Sequence, residues 1–143
     1  TVLKTDTSSM INIYAYLGNE LLNNYWADGL IIATPTGSTA YSLSVGGPIL
    51  TPDSENFVIT PLAPHNLTVR PLVVPDNYEI ELKVEGRGTH YLTSLDFRSV
   101  AVELSTIIKI KKAGFKLKTL QLPDQTFFST LRNKLMWGID RRN

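Results

Sequence analysis

The sequence contains no cysteine and only two histidines, His65 and His90. Without thiols the chain can form neither a disulfide scaffold nor a thiolate metal site, and two imidazoles are too few for a histidine-rich one. No apolar run approaches the ~20 residues of a membrane helix. The first residues also lack the basic-then-apolar pattern of a secretory signal. These absences predict a cytoplasmic protein without a membrane segment or a metal site of its own.

The length of 143 residues, with 43% apolar side chains, predicts one domain with a hydrophobic core. The net charge of +1 conceals an uneven distribution. Residues 107–143 carry nine Lys/Arg against two Asp, about +7, and residues 1–106 about −6. A basic segment can bind a polyanion, but these basic residues alternate with Ile108, Ile110, Phe115, Leu117 and Leu120. That alternation favours half-buried strands with a solvated basic face, and no nucleic-acid partner.

Short apolar segments separated by glycine, proline and polar turns indicate a β-rich fold. Strands are predicted at residues 11–17, 21–26, 29–34, 57–60, 78–84, 89–95, 100–104 and 107–111. Gly18-Asn19-Glu20 predicts a hairpin between the first two strands, and Gly86-Arg87-Gly88 predicts another between the strands at 78–84 and 89–95.

Two helices complete the prediction. A short helix at residues 40–45 follows the polar loop 34–39 and closes at Gly46-Gly47-Pro48. A second helix covers residues 126–137, with Asp124 or Thr126 as N-cap and Gly138 as its end. The expected fold is therefore mainly β and sandwich-like, with a C-terminal helix.

The most unusual segment is residues 34–44, where seven of eleven residues carry a hydroxyl group. A strand that enters such a loop and then a helix presents backbone N–H groups and hydroxyls that suit phosphate, ribose or amide groups. The same residue types are also common in capped turns for purely local reasons. The segment is not a Walker A motif, because the lysine and the glycine spacing are missing.

Residues 34–41, Thr-Pro-Thr-Gly-Ser-Thr-Ala-Tyr, resemble the signature of the NAD kinase family, also called inorganic polyphosphate/ATP-NAD kinases. The resemblance continues in both directions and in the family's order. It covers Asp28-Gly29-Leu30-Ile31 and residues 42–49, then the blocks 59–67 and 70–75, and finally 130–137.

The resemblance implies the β-rich C-terminal domain, residues 1–143, of a two-domain enzyme that transfers the terminal phosphoryl group of ATP to the adenosine-ribose 2′-hydroxyl of NAD, giving NADP. Asp28 would accept hydrogen bonds from the nicotinamide carboxamide, Tyr41 would pack by its ring, and Ala63 would lie near the adenine. His65 is either a ligand or a structural histidine. The implied NAD site comprises Asp28, Thr36, Thr39, Ala40, Tyr41, Ser42, Leu43, Ser44, Ala63, His65, Asp96 and Arg98.

Two departures from the family pattern stand out. Many members carry Asp-Gly-Gln where this chain has Asp96-Phe97-Arg98. Arg98 could pair with a phosphate or face solvent. The family's Gly-Gly-Asp-Gly-Thr motif, whose aspartate is the general base, does not occur in the 143 residues, nor does the preceding Asn-Glu pair. We therefore assign no catalytic residue, expect the ATP and Mg²⁺ or other divalent cation of the parent enzyme to be bound mainly elsewhere, and expect the chain alone to be inactive.

The resemblance also implies a homodimer or homotetramer with NAD sites built partly across subunits. An alternative is a β-rich oligomerisation module that binds no nucleotide by itself. A related lipid kinase shares the two-domain plan, but the signature at 34–41 and Asp28 disfavour it. The resemblance assigns the choice between ATP and polyphosphate, and the preference for NAD or NADH, to the other domain of the enzyme.

Overall fold

The computed structural model describes residues 1–5, 9–120, 123 and 125–138. Two compact units divide the chain, Thr1–Lys112 and Ala113–Asn143. No helix within the described residues is long and apolar enough to cross a membrane.

The first unit contains two antiparallel sheets. In spatial order, the six-stranded sheet consists of β6 (Leu72–Pro75), β5 (Asn56–Leu62), β4 (Gly29–Ala33), β1 (Val2–Leu3), β8 (His90–Leu95) and β9 (Arg98–Glu103). The four-stranded sheet consists of β10 (Ile108–Ile110), β7 (Ile80–Glu85), β2 (Ile11–Leu17) and β3 (Glu20–Ala27). One short helix, α1 (Tyr41–Ser44), follows β4.

One hydrophobic core joins the two sheets. The alternating residues Ile13 and Leu82 of the four-stranded sheet pack in the same cluster as Leu30 and Ile59 of the six-stranded sheet. Tyr91 is also fully buried there, and its hydroxyl donates a hydrogen bond to the Thr106 carbonyl oxygen at 2.8 Å. The mainly β, sandwich-like fold that the sequence predicts is confirmed.

The first predicted hairpin is present, and the second is wrong. β2 pairs with β3 through a turn in which Gly18 has a φ of 59°. β7 and β8 lie in different sheets, because β7 is flanked by β2 and β10 while β8 is flanked by β1 and β9. The residues 86–89 therefore cross between sheets. A glycine-rich turn signal is local and does not determine which strand becomes the partner.

Pro61, expected to follow a strand, lies inside β5 and pairs with Leu30. β6 reaches only as far as Ile59. At Pro61 the strand is therefore paired on one side, and this is where a sheet tolerates a residue without an N–H group.

The basic segment forms a strand only at its start. The predicted strand near 107–111 is β10, and Lys109 contacts Glu81 at 3.2 Å across the sheet. Its hydrogen bond with Glu81 raises the pKa of Lys109. The half-buried alternation predicted further along is wrong: Phe115, Leu117 and Leu120 are largely exposed and lie outside any strand. An alternating pattern becomes a strand only if it pairs with another strand, and residues 113–120 pair with none of the described strands.

The C-terminal helix α2 spans Phe127–Leu135 in the second unit. Thr126 is its N-cap: its hydroxyl accepts a hydrogen bond from the Ser129 N–H at 3.1 Å. Asp124, the other candidate, lies outside the described residues. The helix ends before Gly138, because Met136 already adopts the left-handed conformation with a φ of 55°.

Candidate functional site

The hydroxyl-rich loop connects β4 to α1 and is held by its own hydroxyls. Ser38 is fully buried, donates a hydrogen bond to the Pro35 carbonyl oxygen at 2.6 Å and accepts one from the Leu50 N–H at 3.0 Å. At the edge of the loop, the Thr36 hydroxyl lies 3.4 Å from that of Thr34. The Thr39 hydroxyl donates weakly to the Thr36 carbonyl oxygen at 3.5 Å. Part of the hydroxyl density therefore serves local structure.

Ser42 is anchored in the interior. Its side chain is 1% exposed, and its hydroxyl lies 2.9 Å from that of Thr60 on β5. The Gly47 N–H donates to the Ser42 carbonyl oxygen at 2.8 Å. A Cβ on Gly47 would lie 2.7 Å from that oxygen and would also collide with the Ser42 hydroxyl. Gly47 thus lets the chain pass close enough to fix α1 on the sheet.

A cleft of about 510 Å³ opens between this loop and the β8–β9 hairpin. Among the predicted site residues it brings together Ala40, Tyr41, Ser42 and Asp96. The Tyr41 side chain is about half exposed, so its ring is available to a ligand. The remaining lining residues are Thr1, Ile31, Ile32, Ala33, Thr34, Gly37, Ser94 and Leu95. Two segments more than 50 residues apart in the sequence therefore share one cleft.

The other predicted residues of this region do not line the cleft. Thr36 and Ser44 are exposed, and Thr39 and Leu43 are half-buried on the same loop and helix. Arg98 begins β9, and its guanidinium lies 5.8 Å from the centre of the Phe97 ring.

The hairpin turn explains the unusual Asp96-Phe97-Arg98 sequence. Leu95 pairs with Arg98, so Asp96 and Phe97 form a two-residue turn. The left-handed residue is Asp96, with a φ of 52°, and aspartate is among the residues that tolerate this conformation. Phe97 has no positive φ, and a glycine is therefore not required at that position.

Three further predicted residues lie at the other end of β4. Asp28 precedes β4, and its N–H donates to the Leu62 carbonyl oxygen at 3.0 Å. Ala63 follows Leu62 with a φ of 45°, and the His65 N–H donates to the Trp26 carbonyl oxygen at 2.8 Å. Asp28, Ala63 and His65 are thus grouped just beyond the ends of neighbouring strands. The chain after the loop returns along β4, because Ser42 contacts Thr60 and Thr60 pairs with Ile31. None of the three grouped residues lines the cleft that contains Tyr41.

Sequence reasoning missed two residues next to Asp28. The Lys4 ammonium group lies 2.6 Å from the Asp28 carboxylate, with both side chains partly exposed. Trp26 stacks on His65 with 4.5 Å between ring centres. The pairing of β1 with β4 brings Lys4 to Asp28, and no local pattern reveals such long-range pairing.

The glycine of Asp28-Gly29 has a structural reason. A Cβ on Gly29 would lie 2.7 Å from Leu3 Cδ2 and would meet the Val2 carbonyl oxygen. Only glycine lets β1 approach β4 this closely. Within the described residues, no group of three or more His, Cys, Asp or Glu side chains could hold a metal ion.

The family model of the ATP-NAD kinase C-terminal domain matches residues 1–122. The chain belongs to this family. It is 62% identical over all of its 143 residues to an NAD kinase of Flavobacterium johnsoniae, covering 49% of that protein. It is 50% identical over 141 residues, 99% of the chain, to one of Bacteroides fragilis, again covering 49% of the relative. The chain therefore spans about half the length of the curated relatives it matches.

Solved structures of NAD kinases have the same fold. An NAD kinase from Archaeoglobus fulgidus in complex with ATP superposes with a TM-score of 0.71 at 31% identity, covering 80% of this chain and 44% of the other. Yeast NADH kinase complexed with NADH superposes with a TM-score of 0.77 at 24% identity. The superposition covers 97% of this chain and 43% of the yeast chain. The second likeness concerns the fold only.

Ala63 stores backbone strain that glycine would release. Among the described residues only Ala63, Asp96 and Met136 combine a positive φ with a side chain, and two of these are predicted site residues. The left-handed conformation costs an L-residue roughly 1–2 kcal/mol, and glycine avoids most of that cost. We expect Ala63→Gly to raise the free energy of unfolding by about 1 kcal/mol in urea titrations. Gly114→Ala, where a Cβ meets nothing within 4 Å, serves as the control. A lower free energy of unfolding in Ala63→Gly than in the wild type would contradict the presence of backbone strain at Ala63.

Proposed function

We propose that this chain is the NAD-binding part of an NAD kinase. The parent enzyme transfers the terminal phosphoryl group of ATP to the adenosine-ribose 2′-hydroxyl of NAD and thereby makes NADP. The observation that carries the proposal is the cleft between the loop and the β8–β9 hairpin, where the family signature and Asp96 meet. We also propose that the protein works in the cytoplasm.

The cleft supports the binding of a sugar or an amide. It combines the half-exposed ring of Tyr41 with the hydroxyl of Thr34 and the carboxylate of Asp96. Aromatic rings supply contact area, and hydroxyl and carboxylate groups accept hydrogen bonds from ribose hydroxyls or a carboxamide. Ser42 and Ser38 contribute differently, because their buried hydroxyls hold the loop in shape.

The chain supplies binding rather than phosphoryl-transfer chemistry. ATP, with a divalent cation that neutralises the developing charge, would supply the phosphoryl group. The 143 residues lack the Gly-Gly-Asp-Gly-Thr motif that the resemblance assigns to this chemistry. We therefore propose that these groups belong to another part of the parent protein and that the chain alone does not turn over NAD.

The position of Asp28, Ala63 and His65 outside the cleft that contains Tyr41 supports sites that are shared between subunits. In a homo-oligomer, Asp28, Ala63 and His65 of one subunit would complete the cleft of a second subunit beside Tyr41. We propose this arrangement, in agreement with the family resemblance.

Calorimetric titration of the chain with NAD, together with an NADP-formation assay, tests the proposed function. We expect saturable NAD binding at millimolar concentrations or below, and no NADP above a blank. The absence of heat at millimolar NAD would favour an oligomerisation module instead. NADP formation by the chain alone would contradict the assignment of the chemistry to another part of the protein.

Mixing two variants tests the shared site. Asp28→Ala and Tyr41→Ala should each bind NAD weakly. If each site combines both residues across subunits, random re-pairing into dimers restores about a quarter of the sites at wild-type affinity. If the mixture binds no better than the separate variants, the shared site is wrong.

A further inference from the structure

We propose that Trp26, supported by His65, forms the stacking platform for one of the two heteroaromatic rings of the dinucleotide. This inference rests on the proposed function and adds a residue to the site that neither the family signature nor the predicted site residues include.

The first observation is an unusually exposed aromatic pair. The Trp26 side chain is 52% exposed, and its ring lies 4.5 Å from that of His65 at an interplanar angle of 32°. The hydrogen bond from the His65 N–H to the Trp26 carbonyl oxygen fixes the two residues to each other. One side of the indole is therefore supported, while much of its surface remains open to a flat ring.

The surroundings of the pair are suited to a polar aromatic ligand. A cleft of about 460 Å³ lies at the rings, and Asn24, Pro64 and Asn66 also line it. Amide side chains offer both donors and acceptors to the ring nitrogens and exocyclic groups of a heterocycle. The Asn66 side-chain oxygen accepts hydrogen bonds from the N–H and the hydroxyl of Thr68, and its NH2 group remains as a donor for a ligand.

Asp28 lies two residues after Trp26, at the bend between β3 and β4. Ala27 between them is fully buried, whereas Trp26 and Asp28 are exposed to solvent in whole or part. An exposed aromatic surface with a carboxylate close by in the chain suits a ring that carries an amino or carboxamide group. Nicotinamide and adenine both meet this description.

The expected loss of NAD affinity on replacement of Trp26 follows from the known effect of single aromatic residues on which bases stack. In nucleic-acid complexes, loss of one such stacking residue weakens binding substantially. We expect Trp26→Ala to weaken NAD binding roughly tenfold. Trp26→Phe, which keeps a flat ring, should stay within about threefold of the wild type. Because Trp26 is half exposed, both variants should retain the thermal unfolding midpoint within a few degrees.

Tryptophan fluorescence tests the platform directly, because the chain contains only two tryptophans, Trp26 and Trp137. In a Trp137→Phe background all indole emission comes from Trp26. We expect NAD to quench this emission along the same saturation curve that calorimetry gives. Nicotinamide mononucleotide and AMP, titrated separately, identify the ring: the one that quenches occupies the platform.

The outcomes distinguish the platform from the proposed function. If calorimetry detects NAD binding but neither NAD nor its halves change Trp26 emission, the platform is wrong and the NAD site stands. If emission changes with protein concentration and NAD adds no further change, a second copy of the chain covers the indole and the platform is also wrong. If NAD gives no heat, the proposed binding function fails and the platform fails with it.

Discussion

Replacement of Gly47 by alanine should lower the free energy of unfolding by about 3 kcal/mol, at the upper end of the usual cost of overpacking. The new methyl group would lie 2.7 Å from the Ser42 carbonyl oxygen and 3.0 Å from the Thr60 hydroxyl, and would collide with the Ser42 hydroxyl. The two hydroxyls belong to buried side chains and lie 2.9 Å apart, and the carbonyl oxygen accepts a hydrogen bond from the Gly47 N–H. Relief of the collision would therefore separate α1 from β5.

Urea unfolding followed by circular dichroism measures this effect. Gly114→Ala is the matched control, since nothing lies within 4 Å of its Cβ position, and its change should stay within about 0.5 kcal/mol. If Gly47→Ala lost less than about 1 kcal/mol, the close packing of the loop on β5 would not be what positions the cleft.

Replacement of Asp28 by alanine should weaken NAD binding by about tenfold to a hundredfold. A hydrogen bond to a charged group contributes roughly 1.5–3 kcal/mol, which corresponds to that range. The variant also removes the partner of Lys4, whose ammonium group lies 2.6 Å from the carboxylate. Asp28→Asn should bind with intermediate affinity, because its amide oxygen still accepts a hydrogen bond.

Asp76→Ala is the control for the loss of a surface ion pair. Asp76 contacts Lys112 at 2.7 Å, a distance close to that of the Lys4–Asp28 pair, but lies in no predicted part of the site. Its calorimetric NAD affinity should remain that of the wild type. Equal losses in the Asp28 and Asp76 variants would show a general effect of charge and would remove Asp28 from the site.

The sequence predicted those features that depend on neighbouring residues. Alternation in residues 11–17 identifies β2, and Thr126 identifies the start of α2, because side-chain period and capping are local properties. The turn residues after β7 are also local, but they do not determine that β8 joins the other sheet. Phe115 is exposed although the sequence around it alternates between basic and apolar residues. Local alternation predicts a strand but does not provide the second strand with which it must pair.

The arrangement of the candidate site could not be predicted from the sequence. The motif at 34–41 contains predicted site residues and Asp96 is another, but only the structure shows that Tyr41 and Asp96 line one cleft. The distance between Asp28 and Tyr41 depends on the direction of β4. The contact of Lys4 with Asp28 depends on pairing between strands that are distant in sequence. Pairing between strands that are distant in sequence cannot be predicted from any short segment.

A chimeric enzyme tests the central proposal most directly. In it, this chain replaces the matched segment of the Flavobacterium johnsoniae NAD kinase, to which it is 62% identical. We predict that the chimera forms NADP from NAD and ATP, that Tyr41→Ala within it weakens this activity, and that the chain alone forms none. A chimera that unfolds at the temperature of the parent enzyme yet binds no NAD and forms no NADP would contradict the account.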